Sequence, residues 1–290
     1  MSQPVFRIAP TPSGYLHDGN AANFLVVWIL ARLLNGRILL RIDDLDRARF
    51  RTEYLNDIFR TIDWLGIDID FGPSSNQDFH SNWSQHKRME IYEQFIEYMQ
   101  EDSRVYPCSC TRSNLKECNC RQIATHNEYT ENSALKFHVE SGRITCFKDM
   151  LKGDICINTL EITRDFIIRK KDGLPSYHLA SVADDIHFGI THIVRGADLM
   201  ASTIAQVELC KHTPWSHFSS IKFFHHELIR HADGNKLSKS AGDTSGRPIE
   251  KSEIRKAALC MLAANFLGKD TEAKSPEELL NECRKEDLLL

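Results

Sequence analysis

A chain of 290 residues, 42% hydrophobic and 26% charged, has ordinary globular composition and enough length for one large or two modest cores. It contains no run of eighteen uncharged apolar residues and begins with no signal-peptide pattern, so a cytoplasmic protein without a membrane partner is expected. The net charge of −4 neither announces nor excludes nucleic acid, and nine cysteines, an odd number without secretory marks, argue against a disulfide framework.

The pattern over residues 5–8 predicts a strand, followed by a turn rich in Pro and Gly. His17 and Asn20 then stand at the mouth of a helix over 21–34, with Asn20 as its N-cap. That helix is apolar nearly all round and should be buried. Asn35-Gly36 stops it, and 37–42 returns as a strand. A βαβ unit of this kind presents unpaired N–H groups and a positive dipole end that suit a phosphate. Gly19 leaves room for a ligand to approach, and a ring nitrogen of His17 can donate to it. Alone, His17 could equally fill a turn.

Asp43-Asp44-Leu45-Asp46 closes the second strand, where open α/β sheets take ligands, though an Asp-rich solvated turn would read the same. Residues 52–65 and 85–100 have helical spacing and face a core, and 67–75 carries a strand-like alternation. Cys108, Cys110, Cys118 and Cys120 form two C-x-C pairs seven residues apart, four soft ligands that can surround one structural zinc ion. Ordinary free thiols are the plainer alternative. Residues 125–132 read as loop, and 134–139, 155–158 and 164–169 as short strands. A turn and helix over 175–185, a strand over 190–195, a helix over 202–210 and a strand-like run over 221–229 follow. His225-His226, at the end of that run, are as suited to packing as to ligation.

Residues 231–242 hold Lys236 and Lys239 with hydroxyls between and after them and glycines on both flanks. Such a loop can close on a polyphosphate and neutralise the charge that develops as pyrophosphate leaves, although a solvated basic turn is the default for any K-x-x-K segment. No G-x-x-x-x-G-K and no G-x-G-x-x-G occurs, which disfavours P-loop and dinucleotide enzymes.

Together these segments resemble a known family. His17-Asp-Gly-Asn20 stands in the place of the H-I-G-H signature of class I aminoacyl-tRNA synthetases, and Lys236-Leu-Ser-Lys-Ser240 in the place of K-M-S-K-S. The runs from Arg7 to His17, from Arg41 to Asp46, around Tyr177 and from His192 to Leu199 are similar to the catalytic core of glutamyl-tRNA synthetases. With some fifty residues after Lys239, the chain resembles the short glutamyl-Q tRNA(Asp) synthetases. The resemblance implies activation of L-glutamate by ATP and Mg2+ without tRNA, then transfer to the queuosine base of tRNA(Asp), by a monomer. It implies a glutamate site of Arg7, Ile8, Ala9, Pro10, Thr11, Asp43, Tyr177 and Arg195. It also implies an ATP site of His17, Gly19, Asn20 and Lys239, with His17, Asn20, Lys236 and Lys239 in the catalytic role.

Two departures stand out. Asp43 occupies a place where the nearest relatives commonly have glutamate, and two C-x-C pairs replace the usual metal-ligand spacing. Charging a tRNA 3′ end, or adenylylating a small metabolite, are the alternatives. The expected fold is α/β: a doubly wound, Rossmann-like parallel sheet in two halves, 1–99 and 171–245. An inserted α+β knuckle subdomain over 100–170 would interrupt it, and a helical piece over 246–290 would follow.

Overall fold

The computed structural model describes residues 3–111, 118–123, 132–211, 213–228, 246–284 and 286. Strands β1 (Val5–Ile8) and β2 (Arg37–Leu40) pair in parallel, Val5 opposite Arg37 and Ile8 opposite Leu40, and helix α1 (Asp18–Leu33) connects them. The helix starts earlier than its apolar run suggests. His17, with extended φ of −113° and ψ of 169°, is the N-cap, and Asn20 is the third helical residue. Asn20 reaches back so that its Oδ1 accepts from the His17 N–H at 3.2 Å, which gives that amide a partner and extends the helix by a turn. At the other end Asn35 takes the left-handed conformation (φ 51°), the Gly36 N–H bonds the Ala31 carbonyl at 2.7 Å and the Asn35 N–H that of Arg32 at 3.2 Å.

Helices α2 (Thr52–Trp64) and α3 (Met89–Gln100) follow. The strand-like alternation over 67–75 becomes only a single parallel bridge, Phe71 opposite Leu39, because Gly72 at φ 127° turns the chain away. Strands β3 (Val105–Cys108), β4 (Ala134–Phe137) and β7 (Phe166–Arg169) make a separate antiparallel sheet. Between β4 and β7 in sequence, β5 (Ile144–Asp149) and β6 (Gly153–Asn158) form a hairpin. This hairpin falls within 100–170, yet β5 pairs in parallel with β9 (Lys222–His226), so by hydrogen bonding it extends the main sheet. Helix α4 (Tyr177–His187), capped by Ser176, leads to β8 (His192–Gly196), and α5 (Met200–Cys210) leads to β9, which pairs in parallel with β8. Thr191, just before β8, donates its N–H to Val5 at 2.9 Å and ties the two sheet segments together.

One finding concerns the thiols. Cys146 and Cys156 lie directly opposite each other on β5 and β6 and are disulfide-bonded, a single bridge rather than the framework that the odd cysteine count argues against. Opposed positions on antiparallel strands bring two β-carbons close enough for the bond whatever the total number of cysteines.

The period of two along the strands divides the interior. Phe6, Ile8, Ile38, Leu40, Val194 and Phe224 face α1 and α2, while Leu39, Ile193 and Phe223 face α3, α4 and α5. Helices α6 (Glu253–Phe266) and α7 (Pro276–Glu282) join the α1 side, burying Leu259, Ala263, Phe266 and Leu279. Ser275 caps α7 as its sequence suggests: its Oγ accepts from the Glu278 N–H at 3.2 Å. Among the described residues no helix is long and apolar enough to cross a membrane.

Candidate active site

A cleft of about 400 Å³ opens at the carboxyl ends of β1, β2, β8 and β9. Arg7, Ala9, Pro10, His17, Gly19, Asn20, Asp43, Tyr177 and Arg195 all line it, so residues far apart in the chain meet as expected. Ile8 does not. Strand alternation turns it into the core, where it is buried behind Arg7. Thr11 is exposed and outside the cleft wall, because the turn after β1 carries it past the opening. Lys236 and Lys239 lie outside the described residues.

On the side facing α4 and α5, buried charges are arranged around Arg41. Its guanidinium grips Asp43 in two hydrogen bonds (2.7 and 3.1 Å) and donates to Asp185 at 2.6 Å, while Arg7 Nε donates to the same Asp185 oxygen at 3.1 Å. Burial pushes the Asp43 carboxyl above its ordinary value, and the Arg41 charge only partly opposes that. Behind it, Arg88, Tyr92 and Gln85 all donate to Asp184, so that carboxylate is neutralised away from the cleft.

Arg195 differs from its neighbours. It is 3% exposed, its NH1 donates to Thr203 Oγ1 (3.2 Å) and Gln206 Oε1 (3.0 Å), and its Nε and NH2 have no partner among the described residues. Both acceptors are neutral, and no carboxylate among the described residues forms an ion pair with it. Burial accordingly pulls its pKa down to about 10. A buried guanidinium whose side-on edge is left open is a receptor for a carboxylate.

The other wall is built by the start of α1. His17, Gly19, Asn20 and Asn23 line it, and Asn20 cannot be an independent ligand while its Oδ1 holds the His17 amide; its Nδ2 remains the donor. His226, at the end of β9, stacks on Phe266 with ring centroids 3.9 Å apart and lies 3.1 Å from Asn23 Oδ1. Gly196 lies opposite, and a Cβ there would come within 2.6 Å of Asp198 Oδ1 and push that side chain aside.

Sequence reasoning gave no role to Arg41, Asp184, Asp185, Asn23, Asp198 or His226. The signal present was chemical: Asp184-Asp185 follow an otherwise apolar helix face, and two buried carboxylates in sequence require cationic partners. His225-His226, likewise, end a central strand at the ligand-binding edge.

The four cysteine sulfurs of the knuckle lie within 4.8 Å of one another, Cys108 to Cys118 at 3.7 Å and Cys110 to Cys120 at 3.5 Å. Four thiolates about 2.3 Å from a tetrahedral zinc sit roughly 3.8 Å apart, which the two close pairs match, so this cluster suits such an ion. Of the basic residues near it, Arg104 is buried, paired with Asp102 at 2.6 Å and seated on the Phe137 ring, hence structural. Arg121 is exposed, and Arg112 and Lys116 lie outside the described residues.

Known proteins resemble this chain in sequence and in fold. A glutamate–tRNA ligase of Aquifex aeolicus is 32% identical over 304 residues, covering 97% of this chain and 61% of the relative. One of Geobacter sulfurreducens is 33% identical over 260 residues, covering 84% of this chain and 53% of the relative. The chain thus spans between half and two thirds of the length of these curated relatives. A glutamate tRNA ligase from Elizabethkingia meningosepticum, solved in complex with its amino acid, superposes with a TM-score of 0.79 over 99% of this chain and 66% of that one, at 23% identity, and so shares the fold. The description "tRNA synthetases class I (E and Q), catalytic domain" matches residues 5–140 and 119–268, and the chain belongs to that family.

Proposed function

We propose that the cleft activates L-glutamate with ATP, forming glutamyl-adenylate and pyrophosphate, and that the glutamyl group then passes to the queuosine base of tRNA(Asp), its bond to the adenylate phosphate breaking as AMP leaves. The observation that carries the first half is the open edge of Arg195, buried and without a counter-ion among the described residues. It favours an acid over its amide, because a neutral carboxamide would bring an N–H group against an N–H edge. Asp43, at the cleft wall, takes the ammonium group, while Arg7 and Tyr177 assist at the carboxylates.

The remaining carboxylate attacks the α-phosphorus in line. One P–O bond forms as the bond to the departing pyrophosphate breaks. His17, Gly19 and Asn20 support the phosphates from the start of α1, Lys236 and Lys239 neutralise the charge that develops, and Mg2+ travels with ATP. The chain's contribution is positioning and electrostatics. The four cysteines hold zinc as a structural ion of the knuckle, which metal analysis of the purified protein tests: one equivalent of zinc is expected, and its loss on Cys110→Ser.

For the second half, the support is the resemblance to the glutamyl-Q enzymes. The decisive experiment is ATP–pyrophosphate exchange with glutamate, glutamine and aspartate in the absence of tRNA, followed by transfer of labelled glutamate to tRNA(Asp) with and without queuosine. Exchange with glutamate alone, and labelling only of the queuosine-containing tRNA, is expected. Labelling that needs the 3′ adenosine moves the reading to ordinary tRNA charging, and exchange with no amino acid moves it to a small metabolite.

A further inference from the structure

Behind the cleft, a chain of buried polar groups ends on Arg195. In the parallel register of β8 and β9, Arg195 lies directly beside His225, so both side chains point to the same face, above the Phe223 ring. Asp149, at the end of β5, is 1% exposed. Its Oδ1 accepts from the backbone N–H groups of Leu151 (3.0 Å) and Lys152 (3.1 Å), and its Oδ2 from the N–H of His225 (3.1 Å) and from His225 Nδ1 (2.8 Å). An ionised carboxylate only accepts, so the proton of a neutral His225 ring must sit on Nδ1 and leave Nε2 as an acceptor. Nε2 is 2.8 Å from Thr203 Oγ1, against 3.3 Å for the Leu199 carbonyl that the same hydroxyl reaches, so the shorter contact takes the hydroxyl proton and an oxygen lone pair is left for Arg195 NH1 at 3.2 Å. Gln206 Oε1 takes the second NH1 proton. With both NH1 protons committed, the guanidinium cannot swing, and its Nε–NH2 edge is held where a carboxylate would arrive.

We infer that Asp149, His225 and Thr203 are positioning residues that set amino-acid selection by orienting Arg195. None of the three lines the cleft. The inference rests on the acid-binding reading of Arg195 given above and adds to it the source of that residue's orientation, on a strand hairpin remote from the substrate.

Thr203→Val removes the hydroxyl with little change in shape, Thr203→Ser restores it, and Asp149→Asn reverses the demand on the imidazole. In ATP–pyrophosphate exchange, Thr203→Val and Asp149→Asn are expected to raise the glutamate KM about tenfold while the ATP KM and kcat stay within about threefold, and Thr203→Ser to stay close to the parent chain. Nitrogen-15 spectra of the imidazoles should place the His225 proton on Nδ1 in the parent and on Nε2 in Asp149→Asn. Equal loss for both substrates, an unchanged glutamate KM in Thr203→Val, or an Nε2–H tautomer in the parent overturns the inference. Parent protein that shows no exchange with glutamate would instead remove the proposed function, and the relay would then stand or fall on the tautomer and its reversal.

Discussion

Asp43 shows how one side chain can serve the fold and the chemistry at once. Two of its contacts go to Arg41, which keeps a buried guanidinium neutralised, yet it still forms part of the cleft wall where an ammonium group is to bind. Burial raises its pKa, so on acidification it takes up a proton sooner than an ordinary carboxylate would. The ionised form is the one that pairs with an ammonium. The glutamate KM should therefore climb as the pH is lowered from neutrality, and the climb should begin above the ordinary titration range of aspartate. Asp43→Asn should raise KM about tenfold at neutral pH and abolish that acid limb. Steady-state exchange across this range checks both outcomes. His178 cannot mimic the limb, since burial and the Arg195 charge hold its pKa down at about 4, and it stays neutral throughout.

Among the elements, β2 depends on a neighbour that has no strand of its own. Phe71 accepts from the Leu40 N–H at 2.9 Å and donates to Ile38, and the next residue, Gly72, passes so close that a Cβ would sit 2.4 Å from the Leu40 carbonyl oxygen. At φ 127° the position also excludes L side chains on backbone grounds. Gly72→Ala should destabilise the protein by about 2 kcal/mol or more in urea unfolding, and it should weaken the exchange reaction, because β2 leads directly to Arg41 and Asp43. This also marks where sequence reading stops. The βαβ unit, the order of the helices and most of the cleft wall were legible, because periodicity and caps are local signals and the family motifs keep their spacing. Whether residues 67–75 would form a strand was not, since it turns on one glycine pressed against another strand. Nor were Asp185 as the shared partner of Arg7 and Arg41, or the pairing of β5 with β9, legible, because both depend on which distant segments become neighbours. Ile8 and Thr11 came into the expected site with the motif they belong to, and strand alternation and the turn geometry removed them.

At the scale of the molecule, the end of the described chain supports its beginning. Lys251 pairs with the fully buried Asp57 of α2 at 3.3 Å, and the other Asp57 oxygen accepts from the Leu16 N–H in the turn that leads into α1. Arg255 pairs with Asp18, the first residue of α1, and Leu259, Cys260, Ala263, Ala264, Phe266 and Leu279 pack into the same core as that helix. Removing residues 251–290 would uncover those contacts together and leave Asp57 buried without its cation. At about 1.5–3 kcal/mol for each of the large apolar side chains Leu259, Phe266 and Leu279 lost from the interior, with the Asp57 cation lost as well, the deletion is comparable with the whole stability of an ordinary domain. The truncated chain should show no cooperative thermal transition. A gentler probe separates support of the fold from support of the site. Phe266→Ala should cost about 3–5 kcal/mol in a denaturant titration. It also removes the ring on which His226 is stacked, so at a temperature where the variant is fully folded the ATP KM should rise and the glutamate KM should not. If both KM values rose together, α6 would be serving the sheet as a whole; a change confined to ATP would make it one wall of the nucleotide side, brought there from the far end of the described sequence.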